Sequence, residues 1–530
     1  MILTINRGST LKNNIVFEGY YVHEEHGIVT AKEDIFESEY VDKNRYSLNG
    51  LFRLIKINED SVELIVDRYR SMPIFYIKRE DRLIVSTDFF DLYREAAKCG
   101  FELTIDDIAA NNYIRFGYVP HENTIINEIK ELPCGTSMKI NNSELNIETD
   151  KYWEFEYKEN KDFNKKRECE NLKEIYDCIF RDYCKYINRN GKRINFALSG
   201  GLDSRLVLGG IMKFIDDKSK IVLNTFGNIY SEDVRIPYKI AHTHGLKLKH
   251  FAISEFNNMF NENDIMTNAT QGRSLCHYQD GFPLIENQKL KRDDSWFFGH
   301  TGDFIGGGHI SRKVYYSPEG RYDGQFLELI LHKHSFDGKN NKFYEIDGMA
   351  NLRKEKLLSE LDRWDMENRQ SKFILNDCAT YRQFDNLVFL PLWDNRLIDF
   401  FLKVPLKYKV EKVIYNEVSI EYLKELNLNS YLNKNYYKKD SVLHLIKNKF
   451  KLMTKSSDKL MLSHGFNVYF STSYVQNNVE KIIEEIKRKN IKIEKSNTTH
   501  FNYYLSLIEL NKMTDKLINI KQSLSDEKLG

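Results

Sequence analysis

"RINFALSGGLDSRLVLGGIMKF", Arg193 to Phe214, starts as an apolar run of strand length, breaks at Ser199-Gly200-Gly201 and resumes as an apolar stretch of helical length. A strand that ends in small residues and turns straight into a helix leaves the first backbone N–H groups of that helix unpaired and aimed at one spot. Anions bind there. Gly200 and Gly201 let a phosphate approach without a Cβ in the way, while Ser199 and Ser204 add hydroxyl donors. Asp203 repels a phosphate unless a divalent cation stands between them, and magnesium favours one or two carboxylates together with phosphate oxygens. The spacing S-G-G-x-D-S is neither the Walker pattern nor G-x-G-x-x-G.

Around this stretch, "RINFAL", "KIVLNTFG", "LKLKHFAI" and "SWFFGH" are four runs of strand length separated by segments of helical pattern or length. That alternation predicts a parallel sheet wrapped by helices, an α/β architecture. "RIPYKIAHTHG" reads as one of the helices, with Gly245 at its end. Residues 320–430 read as mostly helical, without strand alternation. Upstream, Leu51–Ile84 reads as an antiparallel meander, and "STDFFDLYREAAK" as a helix capped by Ser86, Thr87 or Asp88. Residues 161–190 are dense in charge with apolar positions at helical spacing. The expected division is a β-rich domain over 1–155, an α/β domain over 160–430 and a basic, mainly helical extension over 431–530.

With 41% apolar, 29% charged and 13% aromatic residues in 530, the composition is that of a soluble globular protein. No window reaches the roughly 18 apolar residues of a membrane span, and the start lacks a secretory pattern, so a cytoplasmic setting is expected. The seven cysteines contain no C-x-x-C pair and read as ordinary thiols. A net charge of +1 hides a basic tail of about +8 over residues 431–530. Its lysines read as solvated helix faces. The pairs His242/His244 and His332/His334 are set aside as metal ligands, the first because it falls on a helix where i and i+2 positions do not face together.

The stretch "SGGLDSR" resembles the pyrophosphate loop of the ATP-pyrophosphatases, in the form seen in asparagine synthetase-like enzymes. The resemblance implies that Leu198, Ser199, Gly200, Gly201, Asp203 and Ser204 hold ATP. "VLNTFGNIYSEDVRIPYKIAHTHG" is similar to the second strand of that family and the segment after it, where Thr225, Phe226 and Gly227 would face adenine through backbone groups. "FFGHTGDFIGGG" is similar to its G-x-G-x-D-E-x-x-G-G loop, with Gly299 and Gly302 in the loop, Phe304 replacing glutamate, and Asp303 joining Asp203 as a ligand of Mg2+. "LPLWDNRLIDFFLKVPLKYK" resembles the P-F-L-D segment, with Asp394 structural. In the amino-terminal part, "VDRYRSMPIFY", "LIVSTDFFDLY" and "FGYVPHENTIINEIKELPCGTSM" are similar to the glutaminase half of the same enzymes, an N-terminal-nucleophile (Ntn) hydrolase sandwich. That half needs a cysteine after the initiator methionine. Ile2 stands there and no cysteine precedes Cys99, so glutamine hydrolysis is not expected. In this the chain looks like β-lactam synthetases and lasso-peptide cyclases.

The resemblance therefore implies an Ntn-hydrolase-like antiparallel β-sandwich joined to a Rossmann-like synthetase domain, with ATP and Mg2+ activating a small-molecule or peptide carboxylate as an acyl-adenylate for attack by an amine or ammonia. An attacking ammonium must first lose a proton. His300 stands three before Asp303, where the family carries glutamate or tyrosine, and an imidazole with an ordinary pKa of about 6.5 suits that role. Hydrogen bonding to the loop or to a phosphate is the equal alternative. Tyr381, Arg382 and Gln383 fall where cyclising relatives place a supporting glutamate. For the late lysine that steadies pyrophosphate, Lys434, Lys438 and Lys439 all fit, and Lys438 is carried as the candidate. Two rivals stand beside this reading: a tRNA modifier that adenylates a base, and a non-catalytic nucleotide-binding scaffold. Nucleic acid is not an expected partner, and homo-oligomerisation is left open.

Overall fold

Ile194–Ala197 is a strand and Leu202–Phe214 a helix, with Gly201 at the helix N-cap. The computed structural model describes residues 1–227, 229, 231–251, 264–276, 284, 291–292, 294–318, 321–322, 325–336, 352–429, 459–461, 469–493 and 501–529. Ile194–Ala197 is the centre of a five-stranded parallel sheet, in spatial order Lys247–Phe251, Ile221–Phe226, Ile194–Ala197, Ser295–Phe297, Leu387–Phe389. In chain order these are strands three, two, one, four and five. The order reverses between Ile194–Ala197 and Ser295–Phe297, and open α/β sheets bind ligands at the carboxyl ends of the strands beside such a reversal.

Residues 320–430, read as mostly helical without strand alternation, also supply the fifth strand. Leu387–Phe389 is three residues long, with Val388 and Phe389 both buried, so it shows no alternation of polar and apolar positions. A 26-residue helix, Lys165–Asn190, capped by Asn164 and closed by a left-handed Gly191, leads into the sheet. Its stripe of Leu172, Tyr176, Ile179, Phe180, Tyr183 and Ile187 is buried, and it packs against Leu202–Phe214.

The amino-terminal part holds two antiparallel sheets. One has the order Ile2–Asn6, Arg82–Ser86, Phe75–Lys78, Lys130–Glu131; the other has Ile147–Lys151, Thr136–Asn141, Ser61–Val66, Gly50–Ile57, Asn14–His23, Gly27–Thr30. The expected meander is thus two hairpins in two different sheets. The chain changes sheet after Val66, where buried Asp67 accepts the amides of Phe52, Tyr69 and Ser71 and the Ser71 hydroxyl, fixing a turn that a continuous meander would not contain.

A π-helix, Asp365–Ile374, stands between this part and the parallel sheet. On one side Ser371 Oγ accepts Arg70 Nη2 at 2.9 Å, and the Lys372 ammonium meets Glu131 and donates to the carbonyls of Val119 and Asn123. Arg70 and Arg273 crowd the same carboxylate, so three cations surround one buried acid. On the other side Gln370 Oε1 accepts the Thr301 hydroxyl at 3.0 Å. The helices Thr472–Arg488 and Phe501–Leu529 pack together, and the second lies on Phe89–Lys98 and Asp107–Phe116 of the amino-terminal part. Lys489, Lys516 and Lys521 hydrogen-bond to Asn511, Asn268 and Leu103 respectively, so these tail lysines are structural contacts as well as charged groups. Among the described residues no helix is long and apolar enough to cross a membrane.

Candidate active site

The turn after Ile194–Ala197 is drawn tight by its own side chains. Ser199 Oγ accepts the Gly201 amide at 3.1 Å and lies 3.2 Å from Ser204 Oγ, which in turn accepts the Ser199 amide at 3.3 Å. The Gly200 amide donates to Asp233 Oδ1 at 3.2 Å, so an acidic residue from the first turn of the helix Glu232–His244 supports the loop from below. Buried Leu198 ties the turn to the neighbouring strand through its amide, which donates to the Asn224 carbonyl at 2.9 Å.

Across the reversal point, the loop after Ser295–Phe297 runs hard against this turn. A Cβ on Gly299 would lie 2.4 Å from the Ser204 nitrogen, and one on Gly302 would lie 2.0 Å from Tyr415 Oη. Only glycine allows that approach. It brings the Asp303 amide to Asp203 Oδ2 at 2.8 Å, while the Tyr415 hydroxyl donates to Asp203 Oδ1 at 2.6 Å. Burial pushes the Asp203 carboxyl up to about 6, against the Tyr415 hydrogen bond and the charge of Lys412, which pull it down. Burial would also raise Asp303, but contacts with His309 and Lys412 hold it well below the usual carboxylate range.

Lys412, His309 and Tyr415 escaped the sequence reading. Lys412 forms an ion pair with Asp303 Oδ1, and His309 Nε2 lies 3.5 Å from Asp303 Oδ2. His309 Nδ1 is 2.8 Å from buried Asp365, which also meets Lys333 at 3.0 Å and His334 at 3.7 Å. Burial works against a charged His309, yet Asp365 and Asp303 on its two nitrogens raise its pKa. His334, one of the histidines set aside as metal ligands, belongs to this buried network. Among the described residues no group of three His, Cys, Asp or Glu side chains is arranged to hold a metal by itself.

The remaining sequence candidates are more scattered. His300 is stacked 5.5 Å from Phe298, with Nε2 3.9 Å from Oδ2 of buried Asp377. Tyr381 is wholly buried, packed on Trp296 and Phe298 behind the loop, and so lies beneath the site rather than lining it. Thr225 is buried with its hydroxyl on the Asp233 carbonyl, and Phe226 stacks on Phe251. The Gly227 amide donates to the Phe251 carbonyl and its own carbonyl meets His250 Nε2 at 2.8 Å, so neither backbone group faces outward alone. Asp394 caps the helix Asn395–Lys403 and accepts the Asn49 side-chain amide. Lys434, Lys438 and Lys439 lie outside the described residues.

Residues 38–153 match the glutamine amidotransferase domain family. No curated protein sequence matches the chain. Among solved structures, the chain is similar to glutamine phosphoribosylpyrophosphate amidotransferase from B. subtilis complexed with ADP and GMP, at 8% identity and a TM-score of 0.16 over 57% of this chain and 59% of that one. It is also similar to an allosteric regulatory enzyme of purine biosynthesis, at 9% identity and a TM-score of 0.17 over 57% and 58%. It spans less than two thirds of either. The amino-terminal part is therefore amidotransferase-like, in a mixed α/β chain.

Proposed function

We propose that the chain is an ATP-dependent carbon–nitrogen ligase of the asparagine synthetase-like group, which joins a carboxylate to an amine through an acyl-adenylate and does not hydrolyse glutamine. The observation that carries this reading is the hydrogen bond from the Asp303 amide to Asp203, which gathers two carboxylates from distant sequence at the start of the loop helix. The amidotransferase-like match over residues 38–153 supports it. The division at 1–155, 160–430 and 431–530, with an Ntn-like sandwich and a Rossmann-like synthetase domain, belongs to the same proposal.

In this reading phosphate oxygens displace Ser199 Oγ and Asp233 from the Gly201 and Gly200 amides and share the N-terminus of the helix Leu202–Phe214. Asp203 and Asp303 fit Mg2+: they are paired hard oxygen donors, and burial, with the neighbouring Asp303 charge adding to it, raises Asp203 to about 6, a carboxylate that a cation would stabilise. When bound, the ion neutralises charge on the departing pyrophosphate. The substrate carboxylate attacks the α-phosphorus, its oxygen bonding as the bond to pyrophosphate breaks. Lys412, already at Asp303, is within the site to meet the pyrophosphate, a role the sequence reading assigned to Lys438. The amine then attacks the acyl carbon and AMP leaves. His300, backed by Asp377, takes the proton from the amine.

Pyrophosphate and AMP should form in equal amounts from ATP and Mg2+ when amino acids, sugar acids and peptides are screened with amine donors, and Asp203→Ala should abolish both. Release of ADP and phosphate instead would refute an adenylate.

A further inference from the structure

A cavity of about 350 Å³ opens in the seam between the antiparallel sheets and the helix Asp377–Arg382. It lies at the amino end of the strand Leu387–Phe389, whereas the loops of the candidate active site leave the carboxyl ends of the sheet. Three guanidiniums line it: Arg53, Arg273 and Arg382. Arg53 is pinned, donating to Glu18 and to the carbonyls of Pro73 and Thr87. Arg273 is 1% exposed; it donates to the Ser371 carbonyl and meets Glu131 at 3.0 Å, and its Nε has no hydrogen-bond partner among the described residues.

Arg382 is different. It is half-buried and donates once, to the Ser71 carbonyl at 2.7 Å, and no carboxylate of the described residues lies within ion-pair distance. Its charge is felt by both neighbours: after burial and the opposing pull of their acids, Arg382 is among the groups that disfavour the charged forms of Arg53 and Arg273. The acids that line the same space are already engaged. Glu18 is held by Arg53, Asp88 caps the helix Phe89–Lys98 and accepts the Gln271 amide, and Asp385 is paired with Arg292 at 2.5 Å. The cavity thus presents unneutralised positive charge at Arg382, and Phe17, Met72, Pro73 and Leu387 add apolar lining.

We propose that this cavity binds a small organic carboxylate, with Arg382 meeting the carboxylate and the apolar wall taking the hydrocarbon body. A guanidinium offers a planar fork of donors that matches a carboxylate. The size is that of a small-ligand site, with few polar groups fixing orientation against a mainly apolar lining. An inorganic phosphate would satisfy the charge and leave the apolar wall bare. Arg382 and Asp377, the acid behind His300, share one short helix, so a bound carboxylate would settle the segment that underlies the other site. The inference does not depend on the ligase reading.

The test is calorimetric titration of the full chain with acetate, butyrate, succinate and glutarate, and with inorganic phosphate. At least one organic anion should bind saturably, ten-fold or more tightly than phosphate. Arg382→Gln should weaken that binding at least ten-fold and Arg382→Lys should recover part of it, with circular dichroism unchanged in both. Asp203→Ala should leave the affinity unaltered. The proposal is overturned if none of the organic anions saturates, if phosphate binds as tightly, if Arg382→Gln binds like the parent, or if Asp203→Ala abolishes binding and so reports on the other site.

Discussion

The backbone N–H of Asp303 donates to Oδ2 of Asp203 at 2.8 Å, across a hundred positions of sequence. The contact depends on Gly302, where a Cβ would lie 2.0 Å from Tyr415 Oη and 2.7 Å from Asp203 Cγ. Gly302→Ala should therefore separate the two loops. Overpacking of this kind costs about 1–3 kcal/mol, readable by urea unfolding, and pyrophosphate release should fall by roughly 100-fold. A variant that keeps activity within two-fold would show that the approach of the loops is incidental.

Lys412 meets Asp303 from a left-handed backbone position immediately before the helix Val413–Glu425. If its ammonium serves the departing pyrophosphate, Lys412→Ala should cost on the order of 100- to 1,000-fold in turnover, the range for losing one preorganised charge. Its effect on stability should be small, because the ammonium is not deeply buried. Stopped-flow pyrophosphate detection and a thermal melt on one sample separate these outcomes.

Tyr415→Phe deletes the hydrogen bond to Asp203 Oδ1 and leaves the ring packed on Phe401. The carboxylate loses a donor that fixes its orientation. The Mg2+ concentration for half-maximal activity should rise several-fold, with turnover at saturating Mg2+ affected less. An unchanged Mg2+ requirement would argue against Asp203 as a ligand.

Burial pushes the Lys372 ammonium down to about 7, outweighing the pull of Glu131, while Arg70 and Arg273 push it the same way. In the unfolded chain it titrates at about 10.4. Between these values the unfolded state holds a proton that the folded state does not, so stability rises with pH from about 7 towards 10 and the penalty is fully present below 7. Relative to Lys372→Met, the parent should gain on the order of 1–3 kcal/mol between pH 7 and 9 by urea titration. Parallel pH dependences in parent and variant would contradict a depressed lysine.

The turn at Ser199–Ser204 was legible because glycines and serines set between an apolar strand and an apolar helix leave a local signature in consecutive positions. The four strand runs of the parallel sheet were legible for the same reason. Leu387–Phe389 was not: its neighbours supply the sheet, and three apolar residues carry no period of their own. Lys412, His309 and Tyr415 left no mark either, since each reaches the site from a different helix or turn and an isolated lysine, histidine or tyrosine is common in any sequence. For His309 the nearest clue was its place one residue beyond the glycine run of the second loop. Tyr381 shows the opposite failure: its position in the sequence suggested a participant, and the aromatic packing of Trp296 and Phe298 buries it beneath the loop.

The helix Phe501–Leu529 covers Phe89–Lys98 and Asp107–Phe116, segments made almost four hundred residues earlier. At roughly 5–20 residues per second, a ribosome would leave the apolar faces of Phe90, Ile114 and their neighbours bare for tens of seconds. During synthesis the nascent chain must therefore carry an unfinished surface through most of its own translation, an interval in which exposed apolar faces invite aggregation.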